Sequence, residues 1–133
     1  MTMPAMWTRS CGAALLVLLV GACRGGANPT YEVGYVPRVD GGDAARGAAV
    51  IRQSGCGSCH TIPGIDQANG LVGPPLLWWS RRTFIAGELP NTPENLVRWI
   101  RSPESVEAQT AMPALGLSDQ QARDAAAFLY TLR

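Results

Sequence analysis

Cys56-Gly57-Ser58-Cys59-His60 sets two thiols three residues apart and places the chain's single histidine directly after the second. Thiols at this spacing can add to the two vinyl groups of one porphyrin. A histidine immediately following then reaches the iron from that side, the attachment pattern of c-type heme. Other chemistries suit these residues less well. A thioredoxin-like redox pair wants a βαβ setting, and no stretch here alternates with period two for long. A structural disulfide suits an exported chain but gives His60 no role. A zinc site commonly takes four Cys or His ligands. With Cys23 committed elsewhere, as argued below, Cys56, Cys59 and His60 make three.

The second axial ligand follows by elimination. One histidine rules out bis-histidine ligation within a single chain. Met1, Met3 and Met6 belong to an N-terminal leader, which leaves Met112 in Ala111-Met112-Pro113, in a loop between two expected helices. A lone Met in a helical domain is ordinarily core filler, but a proline-stiffened loop position without rivals favours a thioether ligand. His/Met coordination closes the iron and raises its reduction potential, which suits a carrier rather than a catalyst. A metal-bound histidine gives its other ring N–H to a carbonyl or carboxylate. Gly73-Pro74-Pro75-Leu76 is placed to supply one, from Pro74. Buried propionates want donors. Arg81, Arg82, Trp78, Trp79 and Trp99 are the candidates, with Arg81 assigned to heme binding.

These side chains need positioning, and the elements that do it read as short helices. Asp43 can cap a helix from Ala44 to about Gln53, with Ala44, Ala48, Val50 and Ile51 on one side. Pro75 to Ser80 has room for a turn or two. Thr92-Pro93-Glu94 combines an N-cap, a first-position proline and a first-turn acid, and that helix should stop at Ser102, before Pro103. Ser118 and Gln121 form a capping box for a last helix whose inner face is Ala122, Ala125, Ala126, Leu129 and Leu132. The class is all-α. Glycines and prolines crowd residues 55–93, so a core this thin needs a large bound group to fill it.

The 133 residues fit one domain plus an export segment. Cys11 to Ala22 runs apolar for twelve residues, short of the about twenty that span a membrane but suited to a signal-peptide core. Val20-Gly21-Ala22-Cys23 is similar to a bacterial lipobox, which would make Cys23 the lipidated first residue. The expected organisation is a signal peptide over 1–22, a lipid-anchored linker over 23–39 and a folded domain over 40–133, on the periplasmic or outer face of the membrane. All eleven basic residues are Arg. Lysine chemistry and a P-loop are therefore excluded. A net charge of +1 provides no electrostatic footprint for nucleic acid.

Cys56-Gly-Ser-Cys-His60, Gly73-Pro-Pro-Leu76 and Met112-Pro113, with a helix before and after, resemble a class I cytochrome c over residues 40–133. Ser80 to Ile100 is further similar to the cytochrome c domain fused to subunit II of some bacterial heme–copper oxidases. That resemblance implies the cytochrome c fold around one covalent heme c, with Cys56 and Cys59 as attachment points and His60 and Met112 as iron ligands. It also implies a carrier delivering single electrons toward a terminal oxidase. A subunit of a larger respiratory complex (an oxidase, a quinol-oxidising complex or a dehydrogenase) is the alternative, and a heme-based ligand sensor or peroxidase is a more distant one. Mitochondrial-type relatives dock through a lysine ring that this sequence lacks. Docking is therefore expected through an apolar patch at the heme edge, aided by the tether.

Overall fold

A computed structural model describes residues 37–133. The expected leader over 1–22, the acylation site Cys23 and most of the 23–39 linker lie outside the described residues. Three helices form where the caps call for them. Helix α1 is Ala44–Gln53, with the Asp43 carboxylate accepting the Arg46 N–H at 2.8 Å. Helix α2 is Pro93–Arg101, capped by Thr92 and ending at Ser102 before Pro103. Helix α3 is Asp119–Leu129, opened by the reciprocal Ser118–Gln121 box. One-turn 3-10 segments lie at Cys56–Ser58, Trp79–Arg81 and Pro103–Ser105. The middle one begins later than the 75–80 turn expected from sequence. Among the described residues no helix is long and apolar enough to cross a membrane.

The helical class holds, with one small addition. Strands β1 (Phe84–Ile85) and β2 (Leu89–Pro90) pair antiparallel, Phe84 opposite Pro90 and Ile85 opposite Leu89. Two residues per strand are too few for an alternating pattern to show in the sequence. The reversal is made by left-handed backbone at Ala86 and Gly87.

The core gathers Val50 and Ile51 of α1, Leu96, Val97 and Ile100 of α2, and the alanine-rich face of α3 around Ile85 and Trp79. Helices α1 and α3 approach closely because Gly47 has no side chain. A Cβ there would fall 1.9 Å from the Asp124 carbonyl oxygen and 2.9 Å from the Phe128 Cβ. Gly47 therefore joins Val50 and Ile51 as the buried line of α1, at i, i+3 and i+4, while Ala44 and Ala48 are only half-buried. The alanines read as the inner face border a contact centred on the glycine.

The same crossing holds a buried carboxylate. Asp124 accepts the Asp43 N–H at 2.8 Å, Arg46 Nε and Nη2 at 2.8 Å each, and Gln120 Nε2 at 3.0 Å. These donors, the Arg46 fork first among them, hold its pKa below the ordinary carboxylate value. A carboxylate whose folded pKa is depressed contributes stability that is fully present above its unfolded pKa and is lost as pH falls through the folded one. Asp124→Asn should therefore cost on the order of 1–3 kcal/mol at pH 7 by mismatching these donors. The gap between wild type and variant should close as acid protonates Asp124. Urea unfolding at pH 7 and at pH 3 checks this, and a gap that stayed constant with pH would assign the loss to packing.

Candidate heme site

The cysteines and the histidine share one tight turn at the end of α1. Gly55, in left-handed backbone, breaks the helix. The Cys56 carbonyl then accepts both the Cys59 N–H at 3.3 Å and the His60 N–H at 3.0 Å. Both cysteines are free and half-buried. Burial pushes the Cys56 thiol up from its ordinary value, so it is held neutral. Among the described residues no three His, Cys, Asp or Glu side chains converge to hold a metal ion.

His60 is gripped from the far side by the 73–76 loop. The Gly73 N–H donates to the Cys59 carbonyl at 2.8 Å, and the Leu76 N–H to the Thr61 carbonyl at 2.8 Å. His60 Nδ1 lies 2.7 Å from the Pro74 carbonyl. A carbonyl can only accept, so the proton sits on Nδ1 and Nε2 keeps its lone pair for a metal. Gly73 lies against the ring: a Cβ there would come within 2.3 Å of Cε1 and 2.7 Å of Nδ1. Any side chain at position 73 would push the imidazole off its carbonyl. Cys56, Cys59, His60 and Pro74 thus form one hydrogen-bonded unit.

The remaining expected residues distribute differently. Met112 is half-buried on the irregular stretch between the Pro103–Ser105 turn and α3, its N–H accepted by Thr110 Oγ1 at 3.2 Å. Arg81 is exposed. Its neighbour Arg82 is half-buried, lies over the Trp79 ring at 5.0 Å and donates to the Pro75 carbonyl. Burial lowers its pKa from the ordinary arginine value, leaving it a cation short of solvation. Trp79 is 5% exposed, and its Nε1–H is buried with no acceptor. In a 3-10 turn residues three apart eclipse, which brings Trp79 and Arg82 together and turns Arg81 elsewhere. Once the turn is registered at 79–81 this pairing is readable, but the sequence expectation placed the turn earlier.

These features fit a heme c. An orphaned indole N–H and an undersolvated guanidinium, the latter beside the loop that orients His60, are donors in want of an anionic group. The glycine cradle at position 73 and the fixed Nδ1–H leave a nitrogen ready to bind iron. The site thus defines a heme-attachment domain, and comparison with known proteins agrees. The family model "Cytochrome c" matches residues 44–133. The chain is 34% identical over 91 residues to "Cytochrome c oxidase subunit 2" of Alkalihalophilus pseudofirmus, covering 68% of this chain and 26% of that protein. It is 35% identical over 71 residues to the protein of the same name from Bacillus sp., covering 52% and 20%. It therefore spans about a quarter or less of these relatives. No solved structure matches significantly. The chain belongs to the cytochrome c family, and that membership makes it an electron-transfer protein with covalently bound heme c.

Proposed function

We propose that residues 40–133 carry single electrons toward a terminal heme–copper oxidase through one heme c ligated by His60 and Met112. The observation that supports the reading is the His60–Pro74 hydrogen bond at 2.7 Å, which would leave Nε2 free to ligate iron beside two unpaired thiols. Bound heme c supplies a one-electron ferric/ferrous couple. Cys56 and Cys59 would hold it by thioether bonds, and Met112 would bring its sulfur from the separate loop before α3. Trp79 Nε1–H and the Arg82 guanidinium would meet propionate oxygens, with the exposed Arg81 left to solvent or a partner. With His60 and Met112 both holding the iron, no position would remain for a substrate, and the group would exchange electrons alone.

Docking would use apolar contact. Leu71 is 90% exposed, Val72 78%, Trp78 59% and Phe84 55%, and the first two directly precede the glycine that backs His60. With the chain's charges nearly balanced, long-range steering should be modest. A lipid anchor at Cys23, on the periplasmic or outer face, would offset weak docking by raising effective concentration. The name these relatives carry favours an oxidase as the electron acceptor, whether the carrier is free or a bound subunit.

The test is to mature the full chain in a heme-c-competent periplasm, then follow oxidation of the reduced protein by oxidase-containing membranes as salt is raised. The expected result is a c-type pyridine hemochrome at one heme per chain and an oxidation rate that falls less than tenfold between low and physiological salt. A steeper fall would replace apolar docking with charge steering. No oxidation by the membranes would remove the oxidase from the proposal.

A further inference from the structure

We infer that the segment following α3 is a positioning element for the heme-binding donors: Tyr130, through Asn91, and the Leu132 carbonyl, through Ser80, hold Trp79 and Arg82 in place. The inference rests on the heme reading above.

The segment needs holding because its backbone is strained. Trp78 adopts left-handed φ and ψ of 50° and 36°. That conformation is unfavourable for a non-glycine residue and persists only where the surroundings over-determine it. Two ties come from the end of the chain. The Leu132 carbonyl accepts both the Ser80 N–H at 3.1 Å and Ser80 Oγ at 3.0 Å. Tyr130, 1% exposed, donates its hydroxyl to Asn91 Oδ1 at 2.9 Å.

That hydroxyl determines which way the Asn91 amide faces. With Oδ1 engaged, Nδ2 donates to the Trp79 carbonyl at 3.1 Å and to the Arg82 carbonyl at 2.9 Å. The Asn91 N–H adds a bond to the Thr83 carbonyl at 2.9 Å. One amide therefore clamps the two residues whose side chains supply the unpartnered indole N–H and the half-buried guanidinium. A half-buried amide with every group engaged leaves little freedom for small rotations. Removing the tyrosine hydroxyl leaves Oδ1 without its donor and loosens the amide that holds both carbonyls. Tyr130 and Asn91 would touch no part of the heme. They act on it through Trp79 and Arg82, whose hydrogen bonds and charge set the electrostatics of the propionates and hence the potential.

The test compares the reduction potentials of holo Tyr130→Phe, Asn91→Asp and Ser80→Ala with wild type by spectroelectrochemical titration. Leu129→Ala is the control: that side chain is buried at the end of α3 but outside the clamp. Tyr130→Phe and Asn91→Asp should each change the electron-transfer equilibrium at least threefold, about 28 mV at 59 mV per tenfold, with Ser80→Ala shifting the same way but less. Leu129→Ala should lower the unfolding midpoint and leave the potential unchanged. Equal potentials in Tyr130→Phe and wild type, with only stability lost, overturn the inference. So does a Leu129→Ala shift as large as the others. Tyr130→Phe retains the ring and keeps the test decisive if Asn91→Asp does not fold. A wild-type protein without a c-type hemochrome overturns the heme reading itself, whereas a normal hemochrome with silent variants overturns the positioning role alone.

Discussion

Cys56→Ala/Cys59→Ala, passed through the same periplasmic maturation, will emerge without covalent heme and without a stable fold. The reason lies in how little regular structure the domain has. Its helices span 10, 9 and 11 residues, below the about 12–15 at which even favourable isolated helices become marginal in water. Between Cys59 and Asn91 the chain forms one 3-10 turn, a hairpin of two residues per strand and an isolated Thr61–Asn69 bridge. Trp79 Nε1–H stays buried and unpaired, which costs about 1–3 kcal/mol until an acceptor arrives. Circular dichroism and a pyridine hemochrome assay on the same preparation check the outcome. The expected result is a loss of most helical signal together with the thioether-type hemochrome. A double variant that kept the wild-type helical signal and a cooperative thermal transition without heme would show that the polypeptide core suffices. The cysteines would then be a tether rather than part of the fold.

Legibility from the sequence followed how local each signal is. Asp43, Thr92-Pro93 and Ser118-Gln121 act on backbone two or three residues away, so the three helix starts were readable from spacing alone. The His60–Pro74 contact spans fourteen residues, yet the chemistry of a metal-bound imidazole asks for one carbonyl acceptor, and a proline-rich loop was a natural source. Contacts set by tertiary packing were hidden. Gly47 looked like a gap between Ala44 and Ala48 because only the α3 backbone at Asp124 shows why no side chain fits there. The sequence favoured Arg81 for heme binding, and only the 3-10 turn shows that Arg82 is the arginine that meets Trp79. Asn91 was silent for a similar reason, since its partners come from the far end of the chain and from carbonyls that carry no sequence signature.

Met112→Ala should leave the thioether attachment intact and change what the iron can do. Met112 is the one methionine among the described residues, and it sits on a stretch without helix or strand, beside Pro113 and tied by its N–H to Thr110. Such a loop can present a sulfur without disturbing α2 or α3. Methionine opposite histidine raises the potential by favouring the ferrous state. Its loss should lower the potential by on the order of 0.1–0.3 V, within the ~0.8 V range that axial ligation spans. Truncating a half-buried Met should cost no more than about 2 kcal/mol, the low end for core Met→Ala changes, so the fold survives and the comparison is clean. The oxidised wild type should show a methionine–iron charge-transfer band that the variant lacks. The reduced variant should bind carbon monoxide at neutral pH where the wild type does not. Met112→His provides the complementary arm, with a potential lowered as in the alanine variant but no carbon monoxide bound, because the sixth position is closed again. If wild type and Met112→Ala share one potential and both bind carbon monoxide, Met112 is core filler and the iron site is open. Ligand sensing or peroxidase chemistry would then displace electron carriage as the reading of this site.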